Sequence, residues 1–246
     1  MKKISIISIL FSMMFSLPLF AQDLFEKKDV RFGVNVESSI NWLKVDNIKD
    51  INNSGAKLKA GFGLNLEFPL GKVVSFATGL NISTGGGSLD YNKSVYYRPS
   101  GDTSKFVISS RNIKTTYIDI PLTFKMRTAE IKSFTYFAQF GVNTLIRWNA
   151  KAVDKGHFPP ATTEATTDPI VVNKDVSFIQ LGLNIGIGAE KKLAGSTTLI
   201  VGLNYHHGFT RAINNNSKLL YNLSDGSNIS QPAYARYLAL TVGILF

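Results

Sequence analysis

Few side chains in this 246-residue sequence could do chemistry. His206 and His207 stand together in NYHHG, and an imidazole beside a serine hydroxyl would make a lipid-ester hydrolase. Two residues beyond His207 stands Phe209, not serine, and His206 has no evident serine partner. His157 lies apart, in the Thr- and Pro-rich stretch HFPPATTEATTDP, and no metal-ligand spacing appears. TGGGS (Thr84 to Ser88) has the glycines of a phosphate loop but lacks its Lys-Ser/Thr and opens no helix, so a flexible loop is expected. With no cysteine, disulfides and thiolate metal sites are excluded. These residues point to no cofactor and no enzymatic activity.

The charges are more informative, because they recur on one face of a two-residue period. Arg31, Lys57, Lys59, Lys125 and Arg147 share that face with Glu37, Glu67, Asp119 and Glu190, and with amides such as Gln139. The other face is apolar. Phe32, Val34, Val36, Ile40 and Trp42 alternate with Arg31, Gly33, Asn35, Glu37, Ser39 and Asn41. The pattern recurs in eight segments, ending with Leu238, Leu240, Val242, Ile244 and Phe246. Such alternation marks strands with one greasy and one polar side.

A soluble sandwich would turn the greasy faces into a core, whereas a membrane barrel would turn them to lipid. Three features favour the barrel. The segments run about 11 to 14 residues, roughly twice the usual globular length, and a tilted strand of about 11 or 12 residues rises through a lipid-facing band. Short connections (69–73, 127–133, 191–197) alternate with long ones (43–56, 84–112, 149–175, 210–233), as periplasmic turns alternate with extracellular loops. Aromatic residues also fall at the two rims of the apolar face. Phe32, Phe68, Phe76, Phe124, Phe134 and Phe246 fall at one, and Trp42, Trp148, Tyr205 and Tyr234 at the other.

The first residues, MKKISIISILFSMMFSLPLFAQ, have the layout of a secretory signal peptide, with cleavage expected after Ala21. The remaining residues, 22–246, are read as one barrel domain. The net charge is +10, or +8 once Lys2 and Lys3 are removed (10 − 2), and anionic headgroups are a better match for it than nucleic acid. Arg236, on the outward face of the last segment, is placed at the outer interface, where it can reach lipopolysaccharide phosphates.

YIDIPLTFKM (Tyr117 to Met126) resembles a recurring strand of the PorT-like outer-membrane β-barrel family. FAQFGVNTLI (Phe137 to Ile146), LGLNIGIGAE (Leu181 to Glu190) and the terminal LTVGILF are similar to later strands of that family. Pro121, lacking a ladder donor, is expected at a bulge or bend. The resemblance implies a small barrel and allows an accessory role in type IX protein secretion, with secretion-complex proteins as partners.

The expected fold is therefore all-β: an eight-stranded antiparallel up-and-down transmembrane β-barrel with short periplasmic turns and long extracellular loops. It would sit in the outer membrane of a Gram-negative bacterium with both termini periplasmic. Its partners would be outer-membrane lipid, lipopolysaccharide and, during insertion, the barrel assembly machinery, which reads a terminal Phe such as Phe246. The inward face would form a polar network of Arg31, Glu37, Lys59, Glu67, Asp119, Lys125, Gln139, Arg147 and Glu190. An aromatic girdle would comprise Trp42, Trp148, Phe68, Phe124, Phe134 and Phe246. A structural or partner-binding role is expected; the alternatives are a small pore or ligand conduit and a lipid-modifying enzyme.

Overall fold

The computed structural model describes residues 29–46, 49–97 and 105–246. The leader expected over 1–21 lies outside them. The described residues hold thirteen strands: β1 (Arg31–Val45), β2 (Ile51–Asn53), β3 (Lys57–Pro69), β4 (Val74–Tyr97), β5 (Phe106–Arg127), β6 (Thr135–His157), β7 (Ala165–Thr166), β8 (Ile170–Val171), β9 (Ile179–Ala194), β10 (Thr197–Gly208), β11 (Asn216–Asn222), β12 (Asn228–Ser230) and β13 (Ala233–Leu245). Eight of them close a ring in the order β1-β3-β4-β5-β6-β9-β10-β13, every pair antiparallel, with β13 returning to β1. Closure leaves no edge of the ring unpaired, which a backbone without water requires.

The ring is greasy outside and polar inside. Phe32, Val36, Phe62, Leu64, Leu80, Phe140, Ile185, Ile187, Leu203 and Leu240 are all exposed on its outer surface. Asn35, Glu67, Asp119, Lys125, Asn143 and Glu190 are buried within. Only a lipid environment makes that inversion favourable over so large an area.

Four strands do not stop where the loops were expected, the first being β1, which runs to Val45. β4 runs on through TGGGS to Tyr97, β5 begins at Phe106, and β6 continues to His157. In these extensions the apolar residues change sides. Leu43 and Val45 of β1, Leu89 and Tyr91 of β4, Ile113 of β5, and Ala150 and Ala152 of β6 all point inward and are buried. Lys44, Lys114 and Lys151 lie outside them, exposed. The switch is the expected response to a change of solvent: greasy outside where lipid surrounds the ring, greasy inside where water does. Beyond the ring the strands thus form a folded cap with an ordinary apolar core, joined by Val172, Val176, Ile213, Leu220 and Ile229 from the remaining connections.

On β6 the change of side is made by a bulge. Tyr117 faces Arg147 but Thr116 faces Asn149, so Trp148 is an extra residue and stands out from the surface, 65% exposed. No bulge occurs at Pro121. The β4–β5 pairing stops at Thr78–Leu122 and resumes at Asn81–Asp119 in the same register, so the proline costs ladder bonds without adding a residue. Gly86, in the glycine run, has φ +117°, and a Cβ there would lie 2.1 Å from the Ile113 carbonyl oxygen. The run is a strand segment held against β5, and its glycines permit that close approach.

Candidate functional site

The interior has three levels. At the end where β1 begins and β13 ends, Arg31, Lys125 and Arg127 surround Glu67 and Glu190. Lys125 Nζ lies 2.7 Å from Glu67 and 2.5 Å from Glu190. Arg31 and Arg127 bridge the same two carboxylates, reaching Glu190 at 3.2 and 3.0 Å and Glu67 by short contacts. Arg127 also donates to Ser75 Oγ (2.6 Å). Each carboxylate thus meets all three cations. Behind the cluster, Lys125 Nζ stands 4.0 Å above the Phe137 ring, and Phe137, Ile200 and Leu245 form an apolar patch inside the ring.

Above this lies a polar cavity of about 90 Å³. Glu37, Asp119 and Gln139 line it with a ring of asparagines. Asn35 donates to Asn65 and Asn81 (2.8 and 3.1 Å), and Gln139 donates to Asn204 (2.7 Å). Higher still, the His206 ring stacks on Tyr237 with centroids 4.5 Å apart and planes 5° from parallel. Gly182 makes room for it, since a Cβ there would lie 2.3 Å from the imidazole. His206 is therefore a packed interior group, and His207 sits on the outer face beside Arg236 and Tyr205.

The third level is the cap. Arg111 and Asp154, 1% and 0% exposed, form a two-pronged pair through Nε and Nη2, each bond 2.7 Å. Arg111 Nη1 lies 3.6 Å from Asp175, whose carboxylate also accepts from Ser217 Oγ and the Lys218 amide, both 2.6 Å. Tyr91 donates to Gln231 (3.0 Å). Burial alone would lower the Arg111 pKa, but its hydrogen bonds and attraction to Asp154 outweigh that and hold it above the ordinary value. Burial pushes the Tyr91 hydroxyl up.

Of the nine residues expected to form one inward network, Arg31, Glu67, Lys125 and Glu190 come together in the ion cluster. Glu37, Asp119 and Gln139 share the cavity. Lys59 and Arg147 belong to neither. Lys59 stands near Lys57 and Lys114, which repel it. Arg147 is at the bulge, with its backbone N–H on the Phe178 carbonyl (2.8 Å) and its guanidinium 5.9 Å from the Phe178 ring. Sequence reading put Arg127 in a turn and so missed it, although it shares the parity of Lys125, Thr123 and Asp119. It also missed Phe137 and Ile200, inward but apolar, and the Arg111–Asp154 pair.

The aromatic residues form two sets. Phe68, Phe76, Phe124 and Phe140 follow one another across adjacent strands at 6.5, 5.8 and 6.0 Å, Phe32 packs on Phe246 at 5.5 Å, and Lys191 reaches over Phe134. Trp42 stacks on Tyr205 (6.5 Å), and Trp148 stands on the same outer face nearer the cap.

Among solved structures, the chain is similar to the outer membrane protein OprG from Pseudomonas aeruginosa (12% identity, 90% of this chain and 98% of that one, TM-score 0.49). It is also similar to Neisserial surface protein A (9%, 89% and 98%, TM-score 0.39) and to Ail, the attachment invasion locus protein of Yersinia pestis (11%, 89% and 100%, TM-score 0.35). No curated protein matches the sequence. Residues 20–214 match the profile of the outer membrane protein beta-barrel domain, and the chain, a closed ring with a greasy exterior, belongs to that family of the Gram-negative outer membrane.

Proposed function

We propose that this chain is a closed, non-enzymatic outer-membrane barrel that presents its folded cap at the cell surface to a protein partner, with both termini in the periplasm. The observation that carries this reading is the double obstruction of the interior. The ion cluster and Phe137 fill one end, and the apolar cap core fills the other. The cavity between them, about 90 Å³, holds several waters, and the packed levels on either side interrupt a continuous conduit. The cap, in contrast, is a folded platform with its own apolar core, on which exposed segments can specify a partner.

In this reading Trp42, Trp148 and Tyr205 mark the outer bilayer interface and the phenylalanine set marks the inner one. Arg236 and the exposed lysines of the rim face lipopolysaccharide phosphates. Phe246 serves the assembly machinery during insertion, after a leader over 1–21 has directed export. The resemblance to PorT-like barrels makes a component of a type IX-like secretion complex the first partner to seek.

The test is a crosslinking pull-down of tagged protein from intact outer membranes, repeated with charge reversals on the cap exterior such as Lys114→Glu and Lys151→Glu. Recovery of one secretion component, lost in the reversals, supports the reading. Single-channel steps from the purified barrel in a planar bilayer would overturn it in favour of a pore.

A further inference from the structure

The carboxylates of the central cavity are treated differently from those below it. Glu67 and Glu190 take up Arg31, Lys125 and Arg127. Lys125 forms part of the cavity floor, but its short contacts are to that pair. Among the described residues no lysine or arginine pairs with Glu37 or Asp119, and the two carboxylates repel each other. Two like charges enclosed without a counter-ion are costly, so the site calls for something positive.

A second observation concerns a neutral acceptor beside these acids. Asn143 Nδ2 directs its two hydrogens to Asp119 Oδ2 (3.1 Å) and the Tyr237 hydroxyl oxygen (3.2 Å). That fixes which end of the amide is nitrogen and leaves Asn143 Oδ1 to accept from Asn184 Nδ2 (2.8 Å). The relay therefore leaves Asn184 Oδ1 as an acceptor, on a residue that lines the cavity. It has no donor, and Asn184 is only 7% exposed. Asp119 Oδ1, on a residue 4% exposed, has none either. Asp119 and Asn184 both line the same cavity as Glu37.

We infer that this cavity is a binding site for one hard divalent cation, Ca²⁺ or Mg²⁺, held by Glu37, Asp119 and the Asn184 carbonyl oxygen with water completing the shell. Oxygen-only donors with two negative charges match such an ion in hardness and charge. About 90 Å³ accommodates the ion with its remaining waters. The site lies inside the ring and is independent of which partner the cap binds.

The test uses the chain from Gln22 onward, refolded into lipopolysaccharide-free detergent micelles in EDTA, in millimolar CaCl2 or in MgCl2. Bound metal is counted after gel filtration, and the heat-induced shift from folded to unfolded gel mobility gives a midpoint. The expected result is about one equivalent of metal and a midpoint about 5–10 °C higher than in EDTA when the ion is at a hundredfold excess over its Kd. Glu37→Gln/Asp119→Asn should bind none. Asn184→Leu, which keeps both carboxylates, should bind at least tenfold more weakly. Absence of metal from the parent protein, or equal binding by the double variant, overturns the site. Equal stability of the parent and the double variant in EDTA, with no rise in the parent's midpoint on adding either metal, would mean that the two carboxyls share a proton instead, and overturns it equally.

Discussion

Removing Asp154 should open the cap while leaving the ring closed. Arg111 and Asp154 are both enclosed in the cap core and joined by two bonds of 2.7 Å. Truncating one partner of such a pair costs about 3–5 kcal/mol, because the other charge stays buried without its counter-ion. Asp175, 3.6 Å from Arg111 Nη1, remains to take part of that charge, so the low end applies to Asp154→Ala. About 3 kcal/mol corresponds to roughly 150-fold more of the opened cap. Where opening and closing are fast, cleavage follows the opened population. Trypsin should therefore cut at Lys151, Lys155 or Lys174 about two orders of magnitude faster in Asp154→Ala, while the ring keeps its heat-modifiable gel shift. The double variant Arg111→Leu/Asp154→Leu replaces the pair by apolar volume and should recover most of the resistance. A single variant as resistant as the parent, or a double variant no better than the single, would refute the reasoning.

Three further outcomes are expected. Glu67→Ala leaves Arg31, Lys125 and Arg127 around Glu190 alone and should lower barrel stability by about 3–5 kcal/mol, read as a lower unfolding midpoint on semi-native gels; an unchanged midpoint would deny the cluster that weight. Gly86→Val sets a side chain against the Ile113 carbonyl at a left-handed φ, and should raise protease sensitivity at the cap by at least tenfold; equal sensitivity would refute the close approach. Because burial raises the Tyr91 pKa, the unfolded segment releases that proton above pH about 10 while the folded cap keeps it, so cap stability should fall as pH rises beyond that point. Hydrogen exchange should find a shallower fall in Tyr91→Phe, and an identical fall would remove Tyr91 as its source.

The ring was legible because its strands keep a strict two-residue period: Phe32 to Ile40, Leu58 to Phe68 and Leu238 to Phe246 announce both faces without help from their neighbours. The cap was not legible as structure, because polar glycine- and asparagine-rich composition at residues 84–112 masked strands whose apolar residues are sparse. The signal was present: Leu43, Val45, Leu89, Tyr91 and Ile113 are apolar at inward positions, a change of parity that marks departure from lipid. Face was readable but height was not. Arg31 opens β1 and Glu190 lies far along β9, and only the stagger of strands around the ring brings them level. Arg127 was lost by ending β5 one residue early, since turn boundaries carry little sequence signal beside a charged residue.

The seam between β1 and β13 carries a kinetic consequence. Its partners are separated by 188 residues at one end (Val45 to Ala233) and 212 at the other (Gly33 to Leu245), and beyond it the Phe246 amide bonds the Phe32 carbonyl at 2.8 Å. Hairpins such as β3–β4 or β9–β10 can form as soon as they are made, but this contact waits for the whole chain. Until it forms, two strand edges face lipid with their peptide groups unmet, so a partly assembled ring has no stable resting point. Assembly is thereby all-or-none, and deleting the final strand should yield a chain that never accumulates in the membrane rather than a smaller barrel.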